Sequence, residues 1–251
     1  MAKLPDGTPL PGRLIVVEGI DGSGKSTQLD LLHKWLTSLD YAVAFSEWNS
    51  SPVVRKTTKR GKKKQLLTPV SFCLIHAVDF AHRYQQQIIP ALKAGATVLA
   101  DRYVYTAFSR DAARGVNPQW VRDIYSFAAT PTVALYFRVP LEESLRRIMT
   151  GRPTLKYYEA GLDLGLSEDP HESYRMFQGR ILREYEGMIP EFDLTVVDAS
   201  LPLVNQQEIV RQAIEPHLEG ALKAESNPWR RVLAAEGLSG RYLDSLVQSG
   251  G

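Results

Sequence analysis

Residues 19 to 26 read Gly19-Ile20-Asp21-Gly22-Ser23-Gly24-Lys25-Ser26, and no other stretch constrains the fold so tightly. The octet fits the phosphate-binding pattern G-x-x-x-x-G-K-[ST] without a mismatch. That pattern has meaning between a strand and a helix, and the flanks supply both. Leu14-Ile15-Val16-Val17 is a short apolar run suited to a buried parallel strand. Leu29, Leu31, Leu32, Trp35, Leu36 and Leu39 then recur at helical spacing. In such a turn the glycines let backbone N–H groups converge on phosphate oxygens, where a side chain would block them. The helix N-terminus adds partial positive charge at the same point. Lys25 can reach the β- and γ-phosphates of a nucleotide, and Ser26 can ligate Mg²⁺.

Beyond the octet, strand-like and helix-like segments alternate. Strands are expected at 42–45, 96–100, 133–137 and 194–197. Helices are expected at 69–93, 105–114, 118–128, 141–149, 171–188 and 204–218. Such alternation implies an α/β fold, a mostly parallel sheet covered by helices on both faces. Ligands then sit at the carboxyl ends of the strands, where Gly19 and Asp101 both fall. Residues 150–170 lack periodicity and hold Gly151, Pro153, Gly161, Gly165 and Pro170. Residues 1–218 read as one domain. Residues 219–251 read as a C-terminal extension, a short helix or a partly ordered tail, with Trp229 and Leu233 among its apolar residues.

No apolar run approaches the ~20 residues that cross a bilayer. The N-terminal residues hold no apolar signal segment, so the cytoplasm is the expected location. The single cysteine, Cys73, lies in an apolar stretch and reads as a buried inert thiol. Charge is uneven. Segment 55–64 carries seven of the 30 basic residues and no acid, leaving 23 basic against 28 acidic residues elsewhere. It reads either as a solvated loop or as an electrostatic clamp for an anionic acceptor.

Several pieces together resemble the thymidylate kinase family of nucleoside monophosphate kinases. They are Glu18 to Thr27, then Asp101-Arg102-Tyr103, then Ala112-Ala113-Arg114-Gly115, then Pro131 to Pro140, followed by Glu143, Leu145, Arg147 and Ile148. Their order and spacing match from residue 13 to about 218. The resemblance implies a P-loop NTPase three-layer sandwich with a five-stranded sheet and a short lid at about 150–170. It implies ATP as phosphoryl donor, Mg²⁺, a nucleoside monophosphate acceptor, by resemblance dTMP, and a homodimer formed through helices that include 69–93. Gly19, Asp21, Gly22, Ser23, Gly24, Lys25, Ser26 and Thr27 would bind ATP. Ser26 and Asp101 would hold the metal. Arg102 would grip the acceptor phosphate, as a guanidinium can do bidentately. The plainer reading of Asp101–Arg102 is a local ion pair. Gly22 stands where one subgroup carries an arginine; in the other the transition-state arginine comes from the lid. Arg152 is then the first candidate and Arg147 the second.

The acceptor side departs from the family pattern. The family stacks a phenylalanine on thymine and hydrogen-bonds the base with an arginine four residues later. His76 and Phe80 occupy those places here. Ala107 and Arg110 stand where a polar residue and a sugar-packing tyrosine are usual, and Trp48 follows the second strand. Asp21, Trp48, His76, Phe80, Arg102 and Arg110 are therefore the candidate acceptor residues, and weak base discrimination is expected. A different phosphorylated or anionic acceptor, or a nucleotide-binding regulatory module without turnover, are the alternatives.

Overall fold

The computed structural model describes residues 1–224. Trp229, Leu233 and most of the proposed C-terminal extension lie outside the described residues. Five strands form one sheet: Arg13–Glu18 (β1), Val43–Glu47 (β2), Thr97–Asp101 (β3), Val133–Arg138 (β4) and Thr195–Asp198 (β5). Their spatial order is β2-β3-β1-β4-β5, and every pairing is parallel. All six residues of β1 are buried, as a central strand covered on both faces requires. The helices are Lys25–Ser38 (α1), Arg55–Lys63 (α2), Pro69–Arg83 (α3), Ile89–Lys93 (α4), Val104–Ala113 (α5), Pro118–Ile124 (α6), Leu141–Gly151 (α7), Pro170–Phe192 (α8) and Leu203–Ile214 (α9). α1 packs with α9, while α5 packs with α3, α6 and α8.

Two elements differ from expectation for identifiable reasons. The helix expected over 69–93 is interrupted by a π-helical turn at Tyr84–Ile88. Pro90 lies just beyond it, lacks an N–H and cannot complete a regular ladder, so the preceding turn widens. The basic segment is helical over Arg55–Lys63, not a loop, and Lys64 caps it. Its like charges repel at four-residue spacing, but lysine and arginine are good helix formers. Its anchors are Thr58, which is buried, and Gly61, where a Cβ would lie 2.8 Å from Leu67.

Residues 217–222 return to the sheet. Ala42 N–H donates to the Leu222 carbonyl (2.9 Å), and Arg13 donates to the carbonyls of His217 and Glu219. β1 lies between β3 and β4, so strand order reverses at its carboxyl end. Glu18 ends β1 and Asp101 ends β3. That crevice is where open parallel sheets bind ligands.

Candidate active site

The phosphate loop turns on three glycines with positive φ: Gly19 (146°), Gly22 (79°) and Gly24 (81°). Space is short as well. A Cβ at Gly19 would lie 2.8 Å from the Phe137 carbonyl oxygen, and one at Gly22 would lie 2.6 Å from that of Ser144 in α7. Gly24 caps α1 without a side-chain hydrogen bond, which leaves the first-turn N–H groups without a side-chain cap. Ser26 and Thr27 are exposed beside it, and Ser23 is buried.

Lys25 is 7% exposed, with Nζ 3.4 Å from the Ile20 carbonyl and 3.9 Å from Asp21 Oδ1. Burial and the nearby Arg102 lower its pKa to about 8, against the opposing pull of Asp21 and Asp101. A buried ammonium held this way gains most when an anion arrives.

Asp101 is paired in register with Val17 of β1, and its Oδ1 is buried without a partner among the described residues. The next residue, Arg102, takes φ +69°, left-handed backbone for a non-glycine residue. What holds it there is Glu18, which is fully buried. The Glu18 carboxylate accepts hydrogen bonds from Tyr103 N–H (2.7 Å), Thr106 N–H (3.2 Å), Thr106 hydroxyl (2.6 Å) and Tyr185 hydroxyl (2.8 Å). Burial raises its pKa, and these donors oppose the rise.

Arg102 Nη2 donates to Asp21 Oδ1 (2.5 Å), and Nη1 donates to the Gly19 carbonyl (3.1 Å). Arg110 Nη2 donates to Asp21 Oδ2 (2.8 Å). Burial would push the Asp21 carboxyl up, but Arg110, Arg102 and Lys25 hold it well below the usual range. One carboxylate thus orders two guanidinium groups and leaves them a surplus of positive charge. Such an arrangement receives phosphate.

A cleft of about 730 Å³ opens beside this cluster. Asp21, Gly22, Arg102, Arg110, Trp48 and His76 all line it, so most acceptor candidates meet there. His76 is 4% exposed, its ring 4.3 Å from Phe72 and 5.5 Å from Trp48 between centroids. Burial, reinforced by Lys62, Arg114, Arg110 and Arg83, lowers its pKa well below the ordinary value, so the imidazole is neutral.

Phe80 is a correction. It does not line the cleft; it is fully buried among Tyr84, Tyr103, Tyr125 and Phe127, at 5.1 to 5.8 Å. One further turn of helix carries it from the cleft wall into the aromatic core. Ala107 is likewise a core residue, and Cys73 is fully buried with its thiol pKa raised by burial.

The two arginine candidates are divided. Arg152 lines the cleft and is ion-paired to Glu159. Arg147 donates to Glu143 (2.7 Å) and to the Ala199 carbonyl (3.0 Å), and its Nη1 lies 3.9 Å from where a Gly24 Cβ would be. The segment between α7 and α8 closes on α3. Tyr158 stacks on Phe72 at 5.1 Å and accepts from Leu67 N–H (3.2 Å), while Arg114 donates to the Tyr158 carbonyl (2.6 Å). Arg114 sits between the rings of Phe72 and Phe177, at 4.7 and 4.4 Å. Phe72 and Tyr158 join the site through tertiary packing alone, whereas Arg114 lies in the Ala112-Ala113-Arg114-Gly115 piece and Lys62 in the basic segment. For Glu18 the signal was its place in the motif ahead of the loop.

Two comparisons with known proteins bear on this geometry. The family model described as thymidylate kinase matches residues 17–208. A protein described as probable thymidylate kinase 2, from Saccharolobus solfataricus, is 41% identical over 213 residues, covering 84% of this chain and 99% of the relative. A probable thymidylate kinase of Pyrococcus horikoshii is 35% identical over 61% of this chain and 77% of its own length. The thymidylate kinase of Desulfotalea psychrophila is 34% identical over 57% and 71%. The match runs from the strand before the phosphate loop into α9, and one relative is covered almost end to end: the chain belongs to the thymidylate kinase family.

Proposed function

We propose that this chain transfers the γ-phosphoryl group of ATP to dTMP, giving dTDP and ADP. The observation that carries the reading is the sharing of Asp21. Lys25 of the phosphate loop and Arg102 of the cleft approach the same carboxylate, so donor and acceptor phosphates bound to them are neighbours. Lys25 and the loop amides hold the donor, and Arg102 with Arg110 holds the acceptor phosphate. An acceptor phosphate oxygen forms a bond to the γ-phosphorus as the bond to the β–γ bridging oxygen breaks. ADP leaves with the electron pair. The reaction needs alignment and charge neutralisation more than covalent help. Arg152 meets the charge of the transferring group from the segment after α7, which acts as the lid. Asp101 Oδ1, buried and without a partner among the described residues, and exposed Ser26 fit a Mg²⁺ ion held partly through water and phosphate oxygens. When bound, the ion neutralises the donor's terminal phosphates.

Lys62 and Lys63 of α2 line the cleft, which supports a part for the basic helix in drawing in a dianionic acceptor. α3 exposes Val70, Leu74 and Val78 at four-residue spacing, a face on which a second copy would fit. No helix among the described residues is long and apolar enough to cross a membrane; we place the enzyme in the cytoplasm. The decisive experiment follows ADP release with dTMP, dUMP, dCMP and dGMP in wild type and Lys25→Ala. Turnover of dTMP by the wild type and its loss in the folded variant are expected. Undiminished turnover by Lys25→Ala would remove the loop from the donor site.

A further inference from the structure

We propose that Asp79 and Arg83, which lie behind the cleft and not in it, are positioning residues that fix Trp48 as the wall against which the acceptor base stacks. The inference rests on the reading of the cleft as the acceptor site. Both side chains come from α3 and both residues are fully buried. Arg83 Nε donates to Asp79 Oδ2 at 2.8 Å, and Arg83 Nη1 donates to the Ser46 hydroxyl of β2 at 2.7 Å. The remaining Nη2 has no polar partner among the described residues. The guanidinium carbon lies 5.3 Å from the Trp48 ring centroid and 5.6 Å from that of Phe80, so aromatic faces take the place of an oxygen. Arg83 is inaccessible and Trp48 lines the cleft, so the cation backs the indole while the indole faces the acceptor.

Asp79 completes the device through the backbone. Its Oδ2 also accepts from Asn49 N–H (3.1 Å), and its Oδ1 accepts from Ser51 N–H (2.9 Å). Those two amides flank the turn that leaves β2, and Asn49 holds φ +63° there. Left-handed backbone in a non-glycine residue persists where the surroundings over-determine it. A buried ion pair is weak ground for stability, since a well-packed apolar pair does as well or better. This pair directs every oxygen, and two of its three guanidinium nitrogens, at the turn carrying Trp48, at the strand before it or at the partner itself. Its use is therefore registry: the indole plane is set before the acceptor arrives, and a preorganised wall lowers the ordering cost of binding.

The test compares Asp79→Asn/Arg83→Met, which removes both charges together, with Arg83→Lys and Trp48→Ala, by steady-state ADP release with dTMP. Melting curves establish which variants are folded. Trp48→Ala is expected to raise the acceptor KM by about 5- to 100-fold, the span expected when a base–aromatic stack is removed. The double variant is expected to raise it by about 3- to 10-fold, with kcat and the ATP KM within about twofold, and Arg83→Lys should fall between it and wild type. If the double variant does not fold, Arg83→Lys decides by the same KM-against-kcat split. An unchanged acceptor KM in the folded Arg83 variants, with the Trp48→Ala effect present, overturns the positioning role alone. So does a parallel loss in kcat and both KM values, which marks a general structural defect. An unchanged acceptor KM in Trp48→Ala overturns the acceptor-cleft reading itself.

Discussion

Replacing Arg102 in two ways separates its chemistry from its backbone. Both Arg102→Ala and Arg102→Gly remove the guanidinium that reaches Asp21 at 2.5 Å and the Gly19 carbonyl at 3.1 Å. On the proposed role of Arg102, deleting a charge-assisted, bidentate grip on phosphate at a residue only 9% exposed should cost about 2–4 kcal/mol, roughly 30- to 1000-fold in kcat/KM. That cost is common to both variants. The backbone distinguishes them. At φ +69° a Cβ is repelled by about 1–2 kcal/mol, and glycine escapes this. Glycine in turn loses about 0.4–1 kcal/mol through its freer unfolded chain. The difference leaves Arg102→Gly more stable than Arg102→Ala by about 0.5–1 kcal/mol, or about 1–4 °C in Tm for a chain of this size. Coupled ADP release at varied dTMP and ATP, with thermal melts of both proteins, provides the readout. Equal kcat/KM losses with a higher Tm for the glycine variant are expected. A glycine variant that melts no higher denies the strain that Glu18 is argued to hold. A collapse in ATP affinity with an unmoved acceptor KM would transfer Arg102 to the donor side.

Arg152→Ala should lower kcat with modest change in either KM, the signature of an interaction made in the transition state; an intact kcat here with a large loss in Arg147→Ala would move that role to the arginine over Gly24. Lys62 responds to pH: burial, with Arg110 and Arg114, brings its pKa to about 8. The acceptor KM should therefore rise above pH 8 as that ammonium is neutralised, and a rise that persists undiminished in Lys62→Met would clear Lys62 of the effect. The same lysine and Lys25 govern stability in the unliganded protein. Between about pH 8 and 10.5 the unfolded chain holds protons the folded chain has released, so stability rises with pH there, by up to about 1.4 kcal/mol per pH unit for each lysine. Chemical denaturation at pH 7.5 and 9.5 measures the slope, which Lys62→Met should reduce.

How much of this was legible in the sequence depends on how far each feature reaches along the chain. The donor side is local. Gly19 to Ser26 are contiguous, and the strand before them and helix after them declare themselves by period, so loop, strand and helix fall where the pattern puts them. Asp101 and Arg102 end a strand, and one tertiary fact, β3 beside β1, brings them to the loop. The acceptor side is assembled from β2, α2, α3, α5 and the segment after α7, and no single pattern spans those elements. His76 and Phe80 show the limit. They are four residues apart on one helix, yet one turn advances about 5.4 Å, enough to leave the cleft and enter the core. Asp79 and Arg83 are a legible pair at four-residue spacing, but nothing in that spacing says that both are buried or that Trp48 lies over them.

The phosphate loop also limits where a transition-state cation can come from. Gly22 has positive φ, and a Cβ there would lie 2.6 Å from the backbone carbonyl oxygen of Ser144. That oxygen belongs to a helix whose Ser144 hydroxyl donates to the Asp21 carbonyl at 2.7 Å and is within 2.6 Å of the Tyr174 hydroxyl. Neither the loop nor α7 can retreat without breaking those bonds, so no side chain of any length is accommodated at position 22. The loop itself therefore supplies no arginine, and beyond Arg102 and Arg110, which pair with Asp21, α7 and the segment behind it bring Arg147 and Arg152 near the loop. Arg147 is held by both Glu143 and the Ala199 carbonyl, whereas Arg152 lies in the cleft with Glu159 as its side-chain partner among the described residues. Exchanging one carboxylate for a phosphoryl group of greater charge is a downhill substitution for a guanidinium. On that ground we propose Arg152 for the role, with Glu159 as its partner until the substrates arrive.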